Sequence, residues 1–412
     1  MNILTVFAGR RCNIEILRKY LQKALLLKII DEVHFWNNTR NSQDEEYLKT
    51  ISNLKRTSST GAGNYILVNT IISNNSFNLN VKANNDIHVK ITNLHTEYEI
   101  VLGAYDNLKC LIRENNNVIL TSGKSFVANI KKYDKFSFIV SNDTLNIMKN
   151  NKLIISQRIQ PNFEIKTIHF KTGHKSVGHL TYDTPENKGF YFMDTCEKSW
   201  KNYYTHYHHS QFRDDIILKC DDDIVFIDLY KLPKFISFIR NTHYDLVFAN
   251  TINNGVSAYY QQNKYNLIPK ELMNLEYPRG GAAGSLWESG LKAETLHDYF
   301  IENNKKFLDY QYDGKTIPIN TRYSINFFGY KGSHWAKIKD AYPDDEKALT
   351  INYVRDKGFK NILYTDFYVS HLSFYRQIET GINLSKLVSK YDALFHTIEE
   401  SGRFENKEAL VT

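Results

Sequence analysis

The spacing of apolar residues changes twice along this chain. Residues 3–7 are an apolar run, Leu17, Tyr20, Leu21, Ala24 and Leu25 then recur at helical spacing, and residues 33–36 form a second run. Strand, helix and strand in that order predict a parallel pair and the start of an α/β domain. Ala8-Gly9-Arg10-Arg11 is the turn, and Asn13 suits the N-cap of the helix. The period then falls to two. Phe77, Leu79 and Val81 alternate with polar residues, as do Ile87, Val89 and Ile91, and Phe136, Phe138 and Val140. Asn84-Asn85-Asp86, Asn115-Asn116-Asn117 and Ser141-Asn142-Asp143 separate these runs as turns. That pattern predicts an antiparallel sandwich of short strands over residues 62–179. Helical and parallel-strand signals return afterwards, with a helix over 198–207, strands over 216–219, 246–249, 323–330, 362–364 and 367–369, and a helix over 345–357 closed by Gly358. The expected architecture is an α/β domain with a Rossmann-like mixed sheet flanked by helices, built from 1–61 and 180–412 and interrupted by an all-β sandwich.

The pattern is most informative at IILKCDDDIVFID, residues 216–228. A buried strand there runs directly into Asp221, Asp222 and Asp223. Three adjacent carboxylates beside a core strand repel one another and are costly to desolvate. A divalent cation resolves the conflict, and hard oxygen ligands suit Mn²⁺ or Mg²⁺, which in turn carry phosphates. The plain alternative is an acidic turn after a strand.

Composition adds three constraints. The chain has 412 residues, enough for two domains. Its net charge of +7 contains no long basic run, which argues against nucleic acid and favours anionic substrates or an anionic membrane surface. The four cysteines, Cys12, Cys110, Cys196 and Cys220, fit no zinc spacing and suit a reduced compartment. No apolar segment is long enough to span a bilayer. The expectation is therefore a cytoplasmic protein, compatible with peripheral contact at the inner face of a membrane.

The segments TVFAGRR, VHFWNNTRN, KCDDDIVFIDL, VFANTINN, SINFFGYKGSHW, YPDDEKALT and YVSHLSFYRQ, in that order, resemble a GT-A-type glycosyltransferase. The middle of the chain, through DIHVKITNLHTEYEIVLGAYDNLKCLIRE and IHFKTG, resembles the farnesoic acid O-methyltransferase-like domain, a lectin-type β-sandwich despite its name. The first resemblance implies a metal-dependent transfer of sugar from a UDP- or GDP-sugar donor to a hydroxyl of a glycan acceptor, with inversion, in polysaccharide or glycoconjugate biosynthesis. It places Ala8, Arg10, Arg11 and Asn37 beside the nucleotide. An arginine fork there would pair with a diphosphate; otherwise Arg10 and Arg11 are surface residues and Asn37 a turn residue. Asp223 is expected on the metal, Asp221 on the metal or the ribose, and Asp222 facing the donor sugar. His371, after the last strand, is expected to complete the metal shell. His206, His208 and His209 are read as a solvated helix end.

Asp344-Asp345-Glu346 opens a helix, where carboxylates are favoured as caps and by the helix dipole. In inverting enzymes of the resembled fold the general base sits at this point, which nominates Asp345 first and Asp344 second. Trp335 is the expected acceptor platform, and the small-residue loop 279–284 suits close approach of a sugar or phosphate. In the sandwich, Tyr98, Glu99, Asn107 and Arg113 are the candidate sugar contacts. Two other functions compete: a nucleotidyl- or phosphosugar transferase, which would carry a Gly-rich, Lys-containing turn after the first strand, and a non-catalytic lectin-like protein.

Overall fold

The computed structural model describes the chain except for residues 59–64, 69–71, 73, 94, 124–131, 174–177, 182–188, 195–200, 209, 336–337, 339–343 and 406–412. It divides into two compact units, 1–45 with 198–412, and 46–197. The second is longer at both ends than the stretch of period-two alternation, because the strands Asn53–Ser58 and Phe190–Asp194 pair with each other within it.

In the first unit the strands are β1 (Asn2–Ala8), β2 (Glu32–Asn37), β3 (Ile216–Asp221), β4 (Ile224–Ile227), β5 (Leu246–Ile252), β6 (Thr316–Ile319), β7 (Phe327–Lys331) and β8 (Asn361–His371). They form a mixed sheet in the order β2-β1-β3-β7-β5-β8-β4, with β6 also on β8. β1 runs parallel to β2 and β3, and β5 parallel to β8, while β7 lies antiparallel between β3 and β5. Two apolar runs expected as separate strands, 362–364 and 367–369, are one eleven-residue strand, β8. A register shift in its pairing with β5 carries it past Thr365 and Asp366. The strand expected over 323–330 begins only at Phe327; Tyr323 instead buries its ring and bonds Ser257 and the Ala249 carbonyl.

The helix Arg11–Leu26 buries Ile14, Ile16, Leu17, Tyr20, Leu21 and Ala24. It starts two residues before the expected cap. Asn13 is buried inside its first turn, and the first helical N–H, of Arg11, donates to Asp44 Oδ1 at 3.1 Å. Residues 345–357 are helical throughout, but 348–352 widen into a π-turn before Gly358 closes the helix in the left-handed region, at φ 66°. Such bulges recur at functional sites.

The second unit holds two antiparallel layers. One contains Lys152–Arg158, Thr144–Lys149, Asp134–Ser141, Ser76–Ala83, Gly178–Thr181 and Asn53–Ser58 in that spatial order. The other runs Ile66–Leu67, Thr167–Thr172, Ile87–Thr92, Glu97–Gly103, Lys109–Glu114 and Asn117–Ser122. The alternating apolar residues point inward to one core, where Phe77 stacks on Phe138 at 4.8 Å. Asn115-Asn116 and Asn142-Asp143 turn the chain with positive φ, the conformation that a two-residue hairpin requires.

Candidate functional site

β1, β3 and β5 all end at the same edge of the first unit's sheet, since Phe7 pairs with Asp221 and β7 enters there from Asn326. Strand ends of an α/β sheet are where ligands bind. A cleft of about 410 Å³ opens at this edge, lined by Phe7, Asn38, Lys219 and Asp221 on the strand side. Arg322 and the helix start Asp344, Asp345 and Glu346 line its other side. Residues more than a hundred positions apart in sequence thus bring four carboxylates together against two cations.

The three adjacent aspartates have separate surroundings. Asp222 faces inward. Its Oδ2 accepts the N–H groups of Gly9 and Arg10 at 3.0 and 2.8 Å, and its Oδ1 pairs with Arg10 Nη2 at 2.5 Å. It therefore holds the turn between β1 and the helix and does not face a donor sugar. The fit at Gly9 is close: a Cβ there would lie 3.2 Å from Asp222 Oδ2 and 3.4 Å from the Asn38 carbonyl oxygen. Asp221 lines the cleft, where Lys219 Nζ and Asn326 Nδ2 donate to it. Burial pushes its carboxyl up to about 6, against the pull of Lys219 and with Asp223 adding to the rise. Asp223 pairs with Arg10 Nη2 at 2.9 Å and with His371 Nε2 at 3.4 Å. Burial alone would raise it, but His371 and Arg10 outweigh that and hold it below the usual carboxylate range.

Asp223 Oδ1 and His371 Nδ1 are buried and have no hydrogen-bond partner. A carboxylate oxygen and an imidazole nitrogen without partners, on two residues that touch through their other atoms, are donor types that Mn²⁺ or Mg²⁺ takes. Among the described residues no three His, Cys, Asp or Glu side chains converge as a ready cage. Mg²⁺ is commonly held with fewer, by one or two carboxylates plus substrate phosphates. Asp223 and His371 are thus brought together as expected, while Asp221 is drawn aside by Lys219.

At the helix start, Asp344 is the N-cap: its Oδ1 accepts the Lys347 N–H at 2.9 Å, and Arg322 pairs with it at 3.2 Å. Asp345 faces the cleft and is fixed by the Tyr204 hydroxyl at 2.7 Å and the Glu346 N–H at 3.0 Å. Glu346 pairs with Arg322 Nε at 2.5 Å, and burial raises its carboxyl against that pull.

Other expected site residues lie elsewhere. Arg11 is exposed and pairs with Glu15 along its own helix. Asn37 is buried and holds the Thr39 N–H and hydroxyl, so the turn reading is correct and its neighbour Asn38 lines the cleft. Ala8 is buried, and its carbonyl accepts the Asn38 N–H. Trp335 cannot be an acceptor platform. It is fully buried, stacked on Tyr330 at 4.0 Å, with its Nε1 donating to the Tyr204 carbonyl. His206 packs on Trp36 and Phe212 in the core and is no solvated end, and His209 lies outside the described residues. Arg322 has no counterpart among the expected residues; Lys219 had a visible signal, a lone cation inside an apolar strand.

In the second unit two of the four sugar-contact candidates, Glu99 and Arg113, pair with each other, and Tyr98 and Asn107 lie apart from them. Tyr98 is in the core, its hydroxyl accepting the Gln160 N–H at 2.9 Å. Asn107 ends the short helix Ala104–Asn107 at φ 68°. Arg113 lies on the opposite sheet face from Tyr98 and pairs with Glu99. Glu99 also takes the Tyr65 hydroxyl and His88 Nδ1, the latter at 3.1 Å, and Lys171 approaches to 3.9 Å. The His88 bond, against burial, and then Tyr65 and Arg113 hold its carboxyl below the ordinary range.

Residues 54–186, about a third of the chain, match the family model described as Farnesoic acid 0-methyl transferase, which agrees with the resemblance read from that stretch. No curated protein matches the chain. Among solved structures, the Caenorhabditis elegans galectin LEC-6 is similar at 11% identity, covering 30% of this chain and 93% of its own, with a TM-score of 0.24. The carbohydrate-binding module CBM66 from Bacillus subtilis follows at 12% identity, 30% and 81% coverage, and a TM-score of 0.22. A Bacillus licheniformis beta-glucanase follows at 13%, 36% and 92%, and 0.23. Among the described residues no helix is long and apolar enough to cross a membrane.

Proposed function

We propose that the first unit is a divalent-cation-dependent glycosyltransferase of the GT-A type, moving a sugar from a nucleotide-sugar donor to a glycan hydroxyl. The observation that carries this reading is the acid-rich cleft at the strand ends, where Asp221 meets the helix start at 344–346. Mn²⁺ or Mg²⁺ would be held by Asp223 and His371 with Asp221 alongside, and when bound it offsets charge on the leaving diphosphate. Lys219 and Arg322 supply fixed positive charge along the cleft. Arg10 does not serve as a diphosphate fork in this reading, because both carboxylates it bridges already occupy it. Asp345 is the base. Tyr204 and its own helix orient the carboxylate, which accepts the acceptor's hydroxyl proton as that oxygen forms its bond to the anomeric carbon and the diphosphate leaves with the electron pair. We further propose that the second unit holds glycan; its support is the outer face around Tyr65, Lys90 and Lys171, which includes the nominated Glu99 and Arg113 but not Tyr98 or Asn107. The test is thermal shift of the whole chain with UDP, GDP and their sugars, with and without Mn²⁺. A shift that needs both nucleotide and cation supports the reading; no shift with any nucleotide rejects it.

A further inference from the structure

A second cavity of about 430 Å³ adjoins the first, with Arg322 and Glu346 lining both. Its walls differ in character. Trp287 and Tyr375 meet edge to face at 5.3 Å, with Phe374 beside them and Asn254 and Ser324 as polar contacts. The small-residue loop forms one side. Ala283 and Gly281 both take positive φ there, and a Cβ on Gly281 would come within 2.0 Å of the Arg322 carbonyl oxygen. The loop is thereby pressed against the segment that carries the shared arginine.

We propose that this cavity is the acceptor subsite and takes an uncharged pyranose at the end of a glycan. The identity of the occupant, which rests on the transferase reading above, follows from the lining. Aromatic faces bind the apolar C–H face of a sugar ring, while amide and hydroxyl groups meet its hydroxyls. The charges that reach the cavity, Arg322 and Glu346, are paired with each other at 2.5 Å, so a charged ligand gains little there. A ring seated on Trp287 and Tyr375 presents a hydroxyl toward the shared Arg322–Glu346 pair, and so toward the acid cleft beyond it. The platform expected at Trp335 is supplied by a different tryptophan.

The test is calorimetric and tryptophan-fluorescence titration of the full chain with methyl glucosides, galactosides, mannosides and N-acetylglucosaminides. At least one should bind saturably, and Trp287→Ala and Tyr375→Ala should each weaken it by about tenfold or more. In transfer assays the same variants should raise KM for the acceptor much more than they lower kcat. Tyr375 is 62% exposed, so its variant reads the ligand contact without a folding defect. Binding of no glycoside by the wild-type chain, or glycoside affinity unchanged in both variants, overturns the proposal. UMP or GMP displacing the glycoside would also overturn it, assigning the aromatic pair to the donor's base. Failure of the transferase reading is distinguishable: it appears as no nucleotide- and Mn²⁺-dependent thermal shift in the wild-type chain, whatever the glycoside titration gives.

Discussion

Each unit has a cluster built around buried carboxylate, and the two are balanced differently. Glu99 is one carboxylate met by Tyr65, His88 and Arg113, with Lys171 nearby, and its ionised form is strongly favoured. The Asp221–Asp223 cluster has three carboxylates against Arg10, Lys219 and His371. Its members are driven apart, Asp221 up to about 6 and Asp223 downward, and Asp223 Oδ1 and His371 Nδ1 stay unpartnered. The first cluster is complete within the chain and stabilises a sheet face. The second has ligand atoms without partners, which supports the proposal of a cation site over that of a structural ion-pair network.

The contrast can be broken most sharply through chemistry. Asp345→Asn should lower sugar transfer by at least about 10²-fold with donor affinity little changed, whereas Asp344→Ala, which removes a cap, should cost mainly stability. Near-normal turnover in Asp345→Asn with a large loss in Glu346→Gln would move the base one residue along the helix. A smaller effect is expected at the complete cluster. Glu99→Gln should destabilise the chain by about 1–3 kcal/mol at neutral pH in denaturant unfolding, since charge-assisted bonds are lost. Because the folded carboxyl titrates below its unfolded value, that stability is present above about pH 4 and is lost as the pH falls further. The deficit of the variant should therefore shrink in acid.

Asp228 provides the opposite sign. It is buried with Oδ2 unpartnered, and burial pushes its carboxyl up to about 6 against Arg403 and Lys231. Its contribution is present below the unfolded value of about 3.9 and is lost as the pH rises through about 6. Melting curves from pH 4 to pH 7 should thus show Asp228→Asn gaining on the wild type with rising pH, by on the order of 1–2 kcal/mol. A difference that does not change with pH would mean the carboxyl is not strained by burial. The smallest effect belongs to Arg11→Ala: an exposed arginine paired within its helix should change stability by less than about 0.5 kcal/mol. It should leave nucleotide binding unchanged, and any large loss would return Arg11 to the donor site.

Periodicity carried much of the architecture. The parallel β1–helix–β2 start, the all-β middle and the helix closed by Gly358 could all be read from spacing and turn residues. The meeting of Asp223 with His371 was implied by the resemblance rather than by spacing, and the two do lie together at 3.4 Å. What spacing could not give was the direction of each side chain within a tight turn. The resemblance turns Asp222 toward a donor sugar, yet the N–H groups of Gly9 and Arg10 lie closer and claim it. Trp335 was chosen as an aromatic near polar residues, but only tertiary packing determines which tryptophan stacks on buried tyrosines and which lines a cavity. Arg322 had no local signal, because its role depends on Glu346, twenty-four residues away.

The claim that the aspartate cluster is an incomplete cation site is tested most directly by calorimetric titration of Mn²⁺ in the presence of UDP or GDP. Wild type, Asp223→Asn and Glu99→Gln are compared as full-length chains. The account predicts one nucleotide-dependent Mn²⁺ site per chain, kept in Glu99→Gln and weakened in Asp223→Asn by more than the roughly 10–100-fold typical of losing an outer-shell partner. Mn²⁺ binding that survives Asp223→Asn unchanged, or that is absent from the wild-type chain with either nucleotide, would contradict it.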